Sequence, residues 1–318
     1  GCPGEDAEGV ICGIDFLRKV VRNEPIELGK KVAIVGGGNT AMDACRTAVR
    51  LGAEEVYNIY RRTKDEMPAD LIEIEEAEEE GVIFKNLTNP IEIVKDENGA
   101  VKEVLLQCME LGEPDESGRR RPVPIEGKTE TIALDTVILA IGQAVDSSLF
   151  ECEKTRKGAI AYDQSTFMTS IPGVFAGGDC GNDKISIAVE AIADAKKASE
   201  IIDAYLEGEA IRYEAPYFVT RDDITEKTFE DRERMCRPEI PQLSPEERKG
   251  NFSEVVPDGF TPEDAEAEAH RCLECGCHDY FECKLIDLAH QYDVEPERFA
   301  GDKNEIEFED DHPFIVRD

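Results

Sequence analysis

Residues 30–63, KKVAIVGGGNTAMDACRTAVRLGAEEVYNIYRRT, limit what this chain can fold into more than any other stretch. The apolar run at 31–35 reads as a strand buried on both faces. Gly36, Gly37 and Gly38 follow with no spacer, and residues 39–51 read as a helix. A strand, a glycine turn and a helix in this order aim free backbone N–H groups and the positive end of a helix at the space above the turn, which suits a pyrophosphate. Gly36 permits the tight turn, and Gly38 lets the backbone approach a phosphate with no Cβ between them. Asn39 and Thr40 open the helix and join the cradle, while Ala41 takes the third small position, where helix and strand pack closely. The expected fold class is therefore α/β, built on a Rossmann-like dinucleotide-binding domain.

The second strand, at 55–60, indicates which dinucleotide. A site for NAD usually ends this strand in an acidic residue that accepts from the ribose 2′-hydroxyl. Here it ends in Arg61 and Arg62, with Lys64 close behind. Guanidiniums attract a 2′-phosphate and carboxylates repel it, so NADP(H) is the expected ligand.

The formal net charge is −35, from 71 acidic and 36 basic residues among 318. Nucleic acid and anionic membrane surfaces need a dense basic face, so neither is an expected partner. No apolar run is long enough to span a bilayer and no cleavable leader pattern appears, which points to a cytoplasmic protein.

Along the chain, residues 9–21 read as a short helix with Val10, Ile14, Leu17 and Val21 on one face. A Glu-rich helix runs from Met67-Pro68 to Glu80 and stops at Gly81. Residues 82–84 form a third strand. Residues 90–108 alternate about an Asn98-Gly99 turn as a β-hairpin does, and 112–128, with Arg119, Arg120, Arg121 and two prolines, reads as an exposed loop within this antiparallel insert. The strand at 136–140 closes the unit. Short strands are expected at 158–162 and 173–176, an amphipathic helix at 186–205, and an extended linker at 211–256. Thr261 is the expected N-cap of a helix that leads into the cysteines.

Six segments in fixed order resemble the NADPH-dependent glutamate synthase small-subunit family, within the pyridine nucleotide-disulfide oxidoreductase superfamily. They are PGEDAEGV near the start, VAIVGGGNTAMDA, YRRT with MPA, EEGVIF, AIGQ at 140–143 and IPGVFAGGDC at 171–180. The resemblance covers residues 1 to about 205. It implies an NADPH domain inserted within an FAD domain, with Ala140, Ile141 and Gly142 where the chain passes back from one to the other. Gly178 and Asp179 would belong to the FAD domain and meet the flavin's ribityl or pyrophosphate region. The family's own upstream FAD fingerprint is not found in this sequence, so the chain is expected to be a fragment with an FAD half-site, whose missing half would be a partner. The implied organisation is a connecting segment at 1–22, the NADP(H)-binding domain with its β-hairpin insert at 23–144, the C-terminal half of the FAD domain at 145–210, the linker at 211–256, and a Cys-rich helical tail at 257–318.

Eleven cysteines are present, and seven are scattered, many of them in apolar stretches where they read as small core residues. The other four, Cys272, Cys275, Cys277 and Cys283, are close enough for one loop to surround a metal. An iron–sulfur cluster is the preferred occupant. Zinc is the alternative, then free or disulfide-prone thiols, with His270 and His278 as substitute ligands. The stretch AEAHRCLECGC resembles cysteine-rich segments that accompany this flavoprotein family and carry such clusters.

Hydride transfer needs alignment rather than a protein acid or base, so no catalytic side chain is expected. A disulfide-reductase mechanism would need a redox C-x-x-C in the nucleotide domain, and only Cys45 stands on its first helix. Two functions follow. The first is the NADPH-handling part of an electron-transfer flavoprotein, passing hydride between NADPH and FAD, then electrons to iron–sulfur centres and a downstream redox subunit or domain. The alternative is a non-catalytic nucleotide-binding module that docks in a larger redox complex.

Overall fold

Val32, Ala33 and Ile34 are fully buried and Val35 nearly so, because the strand they form has neighbours on both sides and is covered on both faces. A computed structural model describes residues 1–114, 118–142, 144–182, 187–209, 224–273, 283–292 and 294. In chain order these form β1 (Val10–Cys12), α1 (Gly13–Val21), β2 (Lys31–Val35), α2 (Asn39–Arg50), β3 (Glu55–Tyr60), α3 (Leu71–Glu79), β4 (Ile83–Asn86), β5 (Thr88–Lys95), β6 (Val101–Pro114), β7 (Arg120–Ala133), β8 (Thr136–Leu139), α4 (Ala188–Glu207), α5 (Pro245–Lys249), α6 (Pro262–His270) and α7 (Lys284–Gln291).

The chain divides into two compact units, Gly1–Gln143 with Pro238–Asp264, and Ala144–Arg237 with Ala265–Asp318. The first holds a five-stranded sheet of order β1-β8-β2-β3-β4, in which every pairing is parallel. One core cluster lies on the α1, α2 and α3 side, from Phe16, Ile34, Met42, Ala44 and Ile138. The other packs the opposite face against the insert through Val35, Ile59, Val104, Leu106 and Val137.

Several elements differ from the sequence reading. Residues 10–12 are a strand paired with Val137–Leu139, not the start of a helix. The helix that follows buries Gly13 and Phe16, and leaves Ile14 and Val21 exposed. The Glu-rich helix begins at Leu71 rather than Met67, which is extended (ψ 131°) as a residue before proline tends to be. The insert is a three-stranded antiparallel sheet of order β5-β6-β7, so most of 112–128 is strand rather than loop. Pro122 and Pro124 fit because β7 is an edge strand, where a missing N–H costs no ladder bond on the open side.

The second unit carries isolated bridges where strands were expected, among them Lys154 with Ile160 and Met168 with Phe175. Its small core holds Cys152, Ile160 and Ala176. Helix α4 ends at Gly208 (φ +85°), buries Ile201 and Ala204, and leaves Ile187, Val189 and Ile192 exposed at its start. Within the expected linker, 238–256 packs on the first unit and contains α5, whose Arg248 is 2% exposed. Thr261 caps α6 by accepting from the Asp264 N–H at 3.1 Å. No helix among the described residues is long and apolar enough to cross a membrane.

Candidate functional site

Only glycine fits the first position of the turn after β2. Gly36 has φ +149°, and a Cβ there would lie 2.3 Å from the Ala140 carbonyl oxygen. Its N–H donates to Ile59 O at 3.1 Å, and its carbonyl accepts from Asn58 Nδ2 at 2.9 Å. A Cβ on Gly37 would fall 2.4 Å from Cε2 of Tyr60, whose hydroxyl donates to Glu66 O at 2.9 Å. Gly38 is different. Its φ of −95° suits any residue, and a Cβ there would meet nothing within 4 Å among the described residues.

Gly38 is the N-cap of α2, and no side chain caps this helix end. The first turn of an α-helix has N–H groups without intrahelical partners, so here they face the open side of the turn. The Asn39 amide is turned to Asp70, accepting from the Asp70 N–H at 2.8 Å and donating to Asp70 Oδ2 at 3.3 Å. What Asn39 offers an anion is therefore its backbone N–H. Thr40 is half-buried, and Ala41 is fully buried with its N–H on Gly38 O at 2.9 Å.

β8 ends against the same turn. The Ala140 N–H donates to Val35 O at 2.8 Å, and Ile141 and Gly142 (φ +101°) follow, both exposed. The structure thus brings Gly36–Ala41 and Ala140–Gly142 together at the carboxyl end of β2, with β3 on one side and β8 on the other. In open parallel sheets that reversal of strand order is where nucleotides lie.

At the end of β3, Arg61 is exposed. Arg62 is 4% exposed, and its Nε donates to Arg120 O in β7 at 2.6 Å. Lys64 pairs with Glu78 and lies 4.8 Å from the centre of the Phe84 ring. The three cations that follow one another in sequence thus have three different environments.

In the second unit, Gly178 opens a short 3-10 turn with φ +62°, and its N–H donates to Asp194 Oδ2 at 3.1 Å. A Cβ on it would come within 3.2 Å of the Ala191 Cβ on α4. Asp179 is exposed. Gln143, at the end of the AIGQ segment, lies outside the described residues, as do Cys275, Cys277 and His278. Cys272 is exposed and Cys283 half-buried, and among the described residues no cluster of metal-ligating side chains forms. Of the scattered cysteines, Cys45 and Cys152 are buried as expected of core residues, but Cys12 and Cys236 are exposed. Burial pushes the Cys45 thiol up, so it is a poor source of thiolate.

Three residues with a part in the turn went unnoticed in the sequence. Asn58 had a signal, since a polar residue in a buried strand needs a partner. Tyr60 and Asp70 had none, because their contacts with Gly37 and Asn39 depend on how the chain returns.

Residues 1–195 match the family model described as pyridine nucleotide-disulphide oxidoreductase. The chain is 40% identical over 299 residues to the "NADP(+)-dependent formate dehydrogenase subunit beta" of Moorella thermoacetica, covering 86% of this chain and 40% of that protein. It is 37% identical over 316 residues to the "NADPH-Fe(3+) oxidoreductase subunit beta" of Geobacter sulfurreducens, covering 86% and 46%. It is also 37% identical over 227 residues to the "Glutamate synthase [NADPH] small chain" of Escherichia coli, covering 65% and 48%. The chain thus spans less than half the length of each of these relatives. Among solved structures, thioredoxin reductase from T. acidophilum aligns with a TM-score of 0.51 at 20% identity, over 65% of this chain and 62% of that one. FprA of Mycobacterium tuberculosis, in complex with NADPH, aligns with a TM-score of 0.51 at 18% identity, over 65% and 60%. These two likenesses concern the fold.

Proposed function

This chain belongs to the pyridine nucleotide-disulphide oxidoreductase family, and on that premise we propose that it is the NADPH-handling part of an electron-transfer flavoprotein similar to the glutamate synthase small subunit. The observation that carries the reading is the uncapped N-terminus of α2 above Gly38, with the exposed Arg61 where an NAD site would place an acid. The residues present fit a dinucleotide. Gly36 and Gly37 shape the turn, the open space at Gly38 admits a phosphate, and the backbone N–H groups of Asn39 and Thr40 point toward it. Ala41 lets α2 approach the sheet. Arg61 would meet the 2′-phosphate, with Arg62 held behind it by the Arg120 carbonyl. Ala140, Ile141 and Gly142 would border the nicotinamide half.

Gly178 and Asp179 are proposed to face FAD. The conformation of Gly178 keeps the turn tight against α4, and the exposed Asp179 carboxylate can accept from a ribityl hydroxyl. When bound, nicotinamide and flavin supply hydride transfer, and iron–sulfur centres carry single electrons onward. The chain's own part is to hold, orient and discriminate, since no side chain near the turn is needed as an acid or base. Cys272, Cys275, Cys277 and Cys283 are the proposed cluster ligands, with zinc as the alternative. Redox subunits or domains are the proposed partners, because two of the relatives are themselves named as beta subunits.

NADPH oxidation with an artificial acceptor, with and without added FAD, tests the reading. FAD-dependent turnover supports it. Binding of NADPH with no turnover at any FAD concentration favours the docking-module alternative. Anaerobic purification with metal and sulfide analysis tests the tail. Iron with sulfide supports the cluster, and one equivalent of zinc without iron would make the segment a structural clip.

A further inference from the structure

We propose that Arg120 on β7 is a second arm of the 2′-phosphate site and, with Arg61, sets the preference for NADPH over NADH. The inference rests on the dinucleotide reading above. Of the basic residues that follow β3, two are committed elsewhere: Lys64 to Glu78 and the Phe84 ring, and Arg62, buried, to the Arg120 carbonyl. Arg61 is left, exposed and in no ion pair with a described carboxylate. A phosphate monoester carries nearly two negative charges at neutral pH and has three acceptor oxygens. One guanidinium fork spans only two of them.

The bond that buries Arg62 also indicates where a second cation comes from. Arg62 Nε lies 2.6 Å from Arg120 O, which brings the start of β7 to the end of β3. The seam continues in the backbone, with the Leu87 N–H on Arg62 O at 3.0 Å and the Met109 N–H on Leu87 O at 2.7 Å. The insert is therefore held in register beside Arg61 and Arg62. Arg120 is exposed there and in no ion pair with a described carboxylate. Its guanidinium reaches Leu111 O at 3.5 Å, longer than a strong N–H···O bond, so its donors remain available to an anion. Arg121 is next in the strand, so its side chain projects from the opposite face. It feels the same field without sharing the contact, which makes it an internal control.

The test measures dissociation constants for NADPH and NADH by calorimetry on the full chain and on Arg61→Gln, Arg120→Gln and Arg121→Gln. The unmutated chain should favour NADPH. Arg61→Gln and Arg120→Gln should each lower the NADPH-to-NADH affinity ratio by about tenfold, the scale of one charge-assisted hydrogen bond. Arg121→Gln should keep the ratio within about twofold. If Arg61→Gln collapses the ratio and Arg120→Gln does not, the inference falls and the NADPH reading stands. If Arg121→Gln matches Arg120→Gln, a general field replaces the contact and the inference also falls. No preference in the unmutated chain removes the reading itself. Should Arg120→Gln fail to fold, Arg120→Lys keeps the charge without the fork and should give an intermediate ratio, and an unchanged ratio there would overturn the proposal.

Discussion

Gly36 and Gly38 stand two residues apart in one turn, yet their surroundings assign them different work. At Gly36 a Cβ meets the Ala140 carbonyl and φ is +149°, so the cost of Gly36→Ala falls on folding. At Gly38 the space is open and φ is ordinary, so the cost of Gly38→Ala should fall on the ligand. Gly36→Ala is expected to lose more than about 1 kcal/mol of stability, as alanine does where φ is positive. Gly38→Ala should lose no more than about 1 kcal/mol, the range for an N-cap change, while weakening NADPH binding about tenfold or more. Thermal melts paired with calorimetry separate the two, and a Gly38→Ala variant that binds normally would remove the phosphate from this turn. The glycines were legible because a turn between strand and helix needs them locally. The placements of Arg62 and Lys64 were not, since Arg120 lies 58 residues beyond Arg62 and Glu78 meets Lys64 only once α3 has folded back.

Among the elements, strands and helices whose signal is local emerged from the sequence close to their observed bounds: β2, α2, β3 and the Asn98-Gly99 turn. β7 did not, because its prolines and charges resemble a loop and only its place at a sheet edge makes it a strand. Nor did the docking of 238–264. Arg248 of α5 reaches Glu79, Glu76 at 3.7 Å and Glu80 at 3.8 Å, in a network that also takes Arg46 (2.9 Å from Glu80) and Arg50 (3.1 Å from Glu80). Glu80 is 1% exposed but keeps Arg46 and Arg50, so removing Arg248 takes away its pair with the exposed Glu79 and the third cation beside Glu76 and Glu80. Arg248→Ala should therefore destabilise the first unit by about 1.5–3 kcal/mol in urea titration, the range for a hydrogen bond to a charged group, and a loss below about 0.5 kcal/mol would mean the segment is not held by this contact. The insert hairpin carries a pH-dependent cap. Asp96 Oδ1 accepts from the N–H of Asn98 at 2.8 Å and of Ala100 at 2.9 Å, and these bonds, that to Ala100 foremost, hold its carboxyl below the usual range. A lowered folded pKa gives stability that is complete above the unfolded value, about 3.9, and lost as pH falls through the folded one. The protection of the Asn98 and Ala100 amides against exchange, relative to an unstructured chain at the same pH, should thus hold at neutral pH and fall only below about pH 3.9. In Asp96→Asn that acid step should vanish, and its persistence would assign the step to another group.

At the scale of the whole molecule, family membership and architecture agree, but the disulphide chemistry in the family's name does not fall to the cysteine of α2. Cys45 is the buried cysteine of α2, it contacts Asn58 at 3.8 Å, and its thiol is pushed up by burial. An overall charge of −35 is compatible with a cationic arginine site only if carboxylates are kept out of it, and among the described residues none pairs with Arg61 or Arg120. The cysteine-rich tail was the least legible part, because four closely spaced cysteines serve iron–sulfur, zinc or free thiols alike and the chemistry depends on what binds. The central claim is that the first unit takes NADPH at its glycine turn and reads the 2′-phosphate. Calorimetric titration of the unmutated chain with NADPH and with NADH tests it most directly. NADPH should bind at least about tenfold more tightly, the gain from one charge-assisted contact. Equal affinities, or tighter binding of NADH, would contradict it.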